Sequence, residues 1–394
     1  MFTKSNVYEG VCAVFRMELP ENVRTVLAVL RENGFHGYVV GGCVRDACMG
    51  QTPHDFDMTT DAKPEEILRC FSGYKTLDTG IRHGTVTVIL EHEPFEITTF
   101  RIDGDYKDNR HPSAVTFTQK LTDDLARRDF TVNAMAYDGT EFADPFGGME
   151  DIRKKCIRCV GEPERRFRED GLRILRALRF AAVLGFSVEP KTAEALHECR
   201  TLLCNISAER LYAELCKLII GQNAPEILTA YADVFQVFLP QFSLSGAALL
   251  GRVPADRITR FSLCINADAL QALRADKKTV QAVAQLQSEP ITDARHLLHR
   301  MGEAQAYRAV DRASALGTLD GIQADKLRRD IRTAVAEGAC VRLADLAVRG
   351  SDLQKIGLSG TEIGEALDAL LEQVLSGTLP NKRDVLLRQI HKKE

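Results

Sequence analysis

Residues 38–60 read YVVGGCVRDACMGQTPHDFDMTT. The β-prone YVV runs into Gly41 and Gly42, and a short helix is expected from about Cys43. Glycines at such a turn let a phosphate approach the backbone N–H groups, and Arg45 projects near the same turn, which makes an anion cradle. Ten positions after Arg45, Asp55 and Asp57 flank Phe56 in HDFDM. On a strand, residues i and i+2 face the same side with Cα atoms about 6.5–7 Å apart, so both carboxylates reach the same divalent ions. Two metals ~4 Å apart activate an attacking hydroxyl and steady a leaving pyrophosphate. A DxD by itself also describes a solvated strand end, and the GGxVRD ahead of it is what favours the catalytic reading. His54 adjoins Asp55, but no further His–Asp pair follows, so no histidine-based metal site is expected.

Around this stretch, up to about residue 150, short β-rich runs alternate with helices. Apolar spacing predicts a helix over 22–33 ending before Gly34, and TVTVIL at 85–90 and PFEITTF at 94–100 read as strands. Beyond about residue 165 amphipathic helices follow one another, LRILRALRFAAVL and ERLYAELCKLII among them, with prolines as punctuation. No repeat period and no low-complexity linker is visible.

Two further segments carry chemistry. In RRDFTVNAMA, 127–136, Asp129 is expected to cap a helix containing Asn133, leaving Arg128 at the positive helix start, suited to a phosphate or ribose. Read alone, it is an N-cap beside two surface arginines. In ERRFREDGLRILRALRF, 164–180, Glu169, Asp170 and Arg173 lie within one turn, and Arg173, Arg176 and Arg179 recur along one side of a helix. An Asp and an Arg on a rigid helix present an acceptor and a forked donor to the Watson–Crick edge of a base, while the later arginines meet a triphosphate. The alternative is a salt-bridged helix face.

The 394 residues are 45% hydrophobic, 27% charged and 7% aromatic with no Trp, which fits two or three globular domains and excludes a disordered chain. No apolar run approaches the ~18 residues a membrane helix needs, and MFTKSNVYEG lacks a signal-peptide layout, so the cytoplasm and no membrane partner are expected. The net charge of −4 argues against a general nucleic-acid binder, but residues 1–150 carry −9 and residues 151–200 carry +4. An acidic front followed by a basic segment suits divalent metal held beside a polyanion, and solvated surface charge is the plainer account. The eleven cysteines are odd in number and scattered, so reduced thiols are expected. Cys156 and Cys159 form a CxxC with no partner motif at zinc spacing, which reads as small side chains on a strand-like segment.

Taken together and in order, these segments resemble the tRNA nucleotidyltransferase and poly(A) polymerase family, in its bacterial CCA-adding form without an HD domain. GGCVRD with DFD at 55–57 resembles the catalytic motif, and RRDFTVNA the ribose-recognition motif. DPFGGMEDI at 144–152 resembles the head-to-neck spring, with Ile152 in place of Leu, and EDGLR at 169–173 the amino-acid template for the incoming base. ISAERLYAELCKLI at 206–219 resembles the fifth motif, which supports the neck. The resemblance is dense over residues 36–219 and thin beyond. Residues 99–120 look like the flexible loop of CCA- and A-adding members, with Asp103, Tyr106 and Arg110 as its polar positions.

The resemblance implies an α+β multidomain fold: a polymerase-β-like nucleotidyltransferase head, with a small mixed sheet and helices, over 1–150. An all-α neck with the base-recognition helix would follow over 151–220, then a body over 221–310 and a tRNA-binding tail over 311–394. It implies CCA addition to the tRNA 3′ end from CTP and ATP, with Mg²⁺ held by Asp55 and Asp57 and pyrophosphate released. Gly42 and Arg45 would meet the triphosphate, Arg128 and Asp129 the ribose, and Asp170 with Arg173 the base, with Glu169 orienting Arg173 and with Arg176 and Arg179 also nucleotide-binding. Poly(A) synthesis, or A-only addition beside a CC-adding partner, are the alternatives.

Overall fold

The computed structural model describes residues 15–78, 80–104 and 115–391. The chain divides into two compact units, one through Asn223 and one from Ala224.

The first unit opens with α1 (Glu21–Glu32), whose Val23, Val26, Leu27 and Leu30 form one buried stripe. Then come β1 (Gly37–Val40), α2 (Gly42–Cys48), β2 (Asp57–Thr60), α3 (Pro64–Cys70), β3 (Lys75–Leu77), β4 (Thr85–Leu90) and β5 (Glu93–Thr99). In β4 the alternation of the sequence is the alternation of the fold, with Val86, Val88 and Leu90 buried. A hairpin of β6 (Arg101–Asp103) and β7 (Val115–Phe117) precedes α4 (Leu121–Ala126). Next come β8 (Ala136–Tyr137) and β9 (Phe142–Ala143). Among the described residues the main sheet has seven strands in the order β3-β4-β5-β2-β1-β8-β9, mixed because β2 and β5 are parallel while the other pairs are antiparallel.

The first unit continues with α5 (Gly148–Arg153), β10 (Cys156–Ile157), α6 (Pro163–Glu169), α7 (Leu172–Leu184), β11 (Ser187–Val188), α8 (Pro190–Cys199) and α9 (Ala208–Leu218). Pro163 and Pro190 sit in the first turns of α6 and α8, where a missing N–H costs nothing. β10 and β11 pair in parallel. A boundary at 150 falls inside α5, which Asp144 fixes by accepting the backbone N–H groups of Gly148 and Met149 at 2.7 and 2.9 Å. A Cβ on Gly148 would lie 2.3 Å from the Thr131 carbonyl oxygen, so only glycine lets α5 pack this closely. Buried Asp151 ties the same region together by accepting from Thr131 Oγ1 and from Arg158.

The second unit is helical throughout its described residues. One core gathers Leu297, Val310, Leu327 and Ile331, and another gathers Val348, Leu370, Leu371 and Leu386. A boundary at 310 falls within the helix Ala294–Ala315, whose break lies at Gly302 instead (φ 72°, ψ 171°). His296 links Asp293 at 2.6 Å to Glu372 at 3.0 Å, bringing that helix against Thr361–Leu375.

Candidate active site

The glycine turn lies where its composition requires it. Gly41 has φ 78° and ψ −127°, a left-handed conformation that side chains resist, and a Cβ there would stand 3.0 Å from Arg128 Nη1. Gly42 opens α2, with Arg45 Nη2 3.7 Å from the place of its absent Cβ. With only seven residues in α2, the positive potential at the turn comes chiefly from these two guanidinium groups.

Val40 pairs in register with Asp57, so the first residue of β2 stands beside the turn. Asp57 lies close enough to Arg128 and Cys43 to act on both electrostatically. Burial, with the Asp57 charge nearby, pushes the Cys43 thiol up to about 12, which rules it out as a nucleophile at neutral pH. Asp55 lies in the irregular stretch before β2, so strand alternation does not align the two carboxylates as expected. The sequence TPHDFD ahead of β2 carries a proline and a histidine but little β propensity, and pairing starts only at Asp57. Both aspartates are exposed, and among the described residues neither is committed to a hydrogen bond or ion pair.

Asp129 departs from its expected role. The helix it was to cap is a single 3₁₀ turn, Thr131–Asn133, preceded by Phe130, and the Asp129 side chain turns inward. It is 6% exposed; one oxygen accepts from Arg176 Nε and Nη2 at 2.9 and 2.6 Å, the other from Phe130 N–H at 2.9 Å and Asn133 Nδ2 at 3.3 Å. Burial alone would raise this carboxyl, but the Arg176 charge and hydrogen bonds, with Arg173 and Asn133, hold it below the usual carboxylate range. Asn133 Oδ1 in turn accepts from Arg45 Nη1 at 2.8 Å, and Asp46 accepts from the same guanidinium at 2.6 and 2.9 Å. A continuous polar chain thus joins the glycine turn to α7. Arg128 is held by Asp124 at 3.6 Å, its Nε is buried without a hydrogen-bond partner, and burial lowers its pKa.

The EDGLR segment is not one helix. α6 stops at Glu169, Asp170 is extended (φ −141°, ψ 107°), and α7 starts at Leu172, because the Asp170 carboxylate accepts the Leu172 N–H at 3.0 Å and so competes with helix propagation. The break still assembles the group. Glu169 accepts from Arg173 and Arg166, both at 2.7 Å, and Arg173 also donates to the Arg127 carbonyl at 3.1 Å. Asp170 is anchored by Arg210 at 2.8 Å. A cavity of about 710 Å³ next to this break is lined by Asp103, Arg165, Arg168 and Glu169 among others. Asp103 pairs with Arg101 at 3.1 Å, whereas Tyr106 and Arg110 lie outside the described residues.

Sequence reasoning passed over Arg210 and Glu214, four apart on α9. Glu214 is buried and receives Arg179, with Arg176 at 3.8 Å. The available signal was an acid on the apolar side of ERLYAELCKLI, where an unpaired charge is costly. It also passed over Asn133 as a ligand of Arg45.

Residues 37–158 match the poly A polymerase head domain, 185–244 the RNA and SrmB-binding site of polymerase A, and 258–390 domain 2 of tRNA nucleotidyltransferase. The chain is 38% identical to the CCA-adding enzyme of Geobacillus stearothermophilus, over 91% of this chain and 93% of that one. It is 35% identical to that of Enterococcus faecalis, over 94% and 96%. Among solved structures, a Bacillus stearothermophilus CCA-adding enzyme in complex with CTP superposes with a TM-score of 0.79 at 31% identity, covering 94% of this chain and 97% of that one. With most of the chain matched by these models and relatives, the chain belongs to the CCA-adding enzyme family of tRNA nucleotidyltransferases.

Proposed function

We propose that this chain adds CCA to the 3′ end of tRNA, taking CTP and ATP and releasing pyrophosphate, and that it does so in the cytoplasm. The observation that carries the reading is the polar chain Arg45–Asn133–Asp129–Arg176, which fixes an arginine-bearing helix against the turn beside Asp57. On this reading one nucleoside triphosphate lies with its phosphates at the turn and its base at the break between α6 and α7.

The donors at the turn suit magnesium. Asp55 and Asp57 are exposed hard oxygen ligands, and among the described residues no group of three or more acidic, His or Cys side chains forms a complete cage. Mg²⁺ needs none, since it binds through one or two carboxylates and completes its shell with substrate phosphates and water. When bound there, the ion supplies acidification of the RNA 3′-hydroxyl and neutralisation of the triphosphate. Arg45 and Arg128 receive phosphate oxygens, and Arg128 faces the ribose. Asp129, being buried, acts through Arg176 and Asn133. Asp170 accepts from the exocyclic amino group that C and A share, and Arg173, oriented by Glu169, donates to the adjacent ring nitrogen. UTP and GTP leave both groups mismatched, a penalty that discriminates strongly in a partly buried site.

We assign the tRNA-binding role to the helical unit. The test is a tRNA ending at the discriminator base, given CTP and ATP, with the products sequenced. Terminated CCA ends support the reading. Long A tails would establish poly(A) synthesis, and A added only after a pre-existing CC would establish the partner-dependent alternative.

A further inference from the structure

Asp124, on α4, is fully buried at 0% exposure, and its two oxygens serve different arginines. Oδ1 accepts from Arg127 Nε at 3.0 Å and pairs with Nη2 of the same guanidinium at 2.9 Å. Oδ2 stands 3.6 Å from Arg128 Nη2, just beyond hydrogen-bond reach. Thr59 Oγ1 lies 3.3 Å from that same Oδ2 and also donates to the Thr98 carbonyl at 3.0 Å. Thr59 follows Asp57 by two positions on β2, so the strand that begins with Asp57 and the side chain of Arg128 meet at one buried carboxylate.

A buried carboxylate must be paired, and Arg127 alone satisfies that need. The looser contact to Arg128 has a different effect. A guanidinium carries five N–H donors, and Arg128 spends few of them. Among the described residues its hydrogen bond is the one from Nη1 to the Asn133 carbonyl at 3.5 Å, and its buried Nε has none. Arg45 and Arg176 instead commit donors to Asp46 and Asp129 at 2.6 and 2.9 Å. Arg128 Nη1 also stands 3.0 Å from the place of a Gly41 Cβ, at the wall of the glycine turn. We infer that Asp124 is a positioning residue: it fixes Arg128 beside the glycine turn by charge at a distance, so that the guanidinium keeps its donors open for oxygens of the incoming nucleotide. Arg127 completes the device, because its two contacts to Oδ1 keep the carboxylate from closing on Arg128. The inference rests on the nucleotidyl-transfer reading and adds to it a residue that touches no substrate.

The test is a double-mutant cycle in the full chain: Asp124→Asn, which keeps the shape and removes the charge, Arg128→Met, and the two combined. Binding of ATP and CTP is measured by titration calorimetry without RNA, turnover on tRNA lacking its 3′ end, and folding by thermal melts. Asp124→Asn should weaken both nucleotides about tenfold, with kcat at saturating nucleotide within about threefold and the preference for CTP over UTP unchanged. Added to Arg128→Met, it should cost less than about twofold more, because its effect runs through Arg128. A lowered Tm with unchanged affinity, a loss confined to kcat, or losses that multiply in the combined variant overturns the inference and leaves nucleotidyl transfer standing. Should Asp124→Asn not fold, Arg127→Met decides. With Arg127 gone, Asp124 closes on Arg128 and takes its donors, so affinity for both nucleotides should fall about threefold or more, and unchanged affinity overturns the inference. Wild-type protein that binds nucleotides but extends no tRNA overturns the functional reading, while the binding cycle still judges Asp124.

Discussion

Asp129→Ala cuts the polar chain at its middle and should be felt in two separable ways. The carboxylate is 6% exposed and accepts from Arg176 at 2.6 and 2.9 Å and from Asn133 at 3.3 Å. Removing one partner of a buried pair costs about 3–5 kcal/mol. Here Arg176 keeps 34% of its side chain in solvent and retains Glu214 at 3.8 Å, which brings the loss to about 2 kcal/mol. In a unit ending at Asn223 that lowers Tm by about 4–8 °C. The functional loss follows from Asn133, which no longer has its anchor while it holds Arg45, so KM for both ATP and CTP should rise about tenfold. The pH dependence has a fixed sign. Asp129 is held below the ordinary carboxylate range, so the stability it lends is whole above its unfolded pKa of about 3.9 and disappears as pH falls through the lower folded value. Melting curves of wild type and variant should therefore converge only in acid. Calorimetry with steady-state kinetics checks both arms; a lowered Tm with unchanged KM for both nucleotides would show that Asp129 merely stabilises the head and that the chain to Arg45 transmits nothing.

Asp55→Ala should abolish incorporation while filter binding shows tRNA affinity retained; measurable turnover above about 1% of wild type would remove the metal assignment. Arg210→Met should free the Asp170 carboxylate, held now at 2.8 Å, and lower the kcat/KM preference for CTP over UTP by about tenfold, with CTP turnover itself reduced less. Burial, the largest single influence on His296, lowers its pKa, but the hydrogen bonds and charges of Glu372 and Asp293 together outweigh it and raise the pKa above the ordinary value. The advantage of wild type over His296→Gln in thermal melts should therefore be complete below about pH 6.5 and fade as pH rises through the folded value, amounting to about 1 kcal/mol at most. A pH-independent difference would refute that ion pair.

The parts of the fold that were legible in the sequence are those where local pattern and tertiary burial agree. TVTVIL alternates because β4 buries one face, and the stripe of α1 repeats at helical spacing because one side meets the sheet. Legibility failed where a polar side chain has two uses. Asp129 and Asp170 both look like helix residues by position, one as a cap and one as part of a turn. Asp129 instead prefers a half-buried arginine to an exposed N-terminus. Asp170 interrupts its helix to accept the Leu172 N–H. The Leu172 N–H is only two positions from Asp170, but the long-range partners that hold the two carboxylates, Arg176 for Asp129 and Arg210 for Asp170, lie 47 and 40 positions away. A separation of 35 positions likewise hides Glu214 from anyone reading Arg179 alone.

The small parallel pair of β10 and β11 has a role larger than its length. Cys156 pairs with Ser187 and Ile157 with Val188, so the chain between them leaves and returns at this pair, with a further backbone bridge from Cys159 to Phe130. Everything that discriminates one base from another on this reading, α6, the break at Asp170 and the start of α7, is carried on that excursion. An excursion closed at its base can breathe as one cooperative patch without unzipping the seven-stranded sheet. Amides of residues 158–186 should then exchange with deuterium in step, giving the selecting apparatus its own local melting event ahead of the catalytic scaffold.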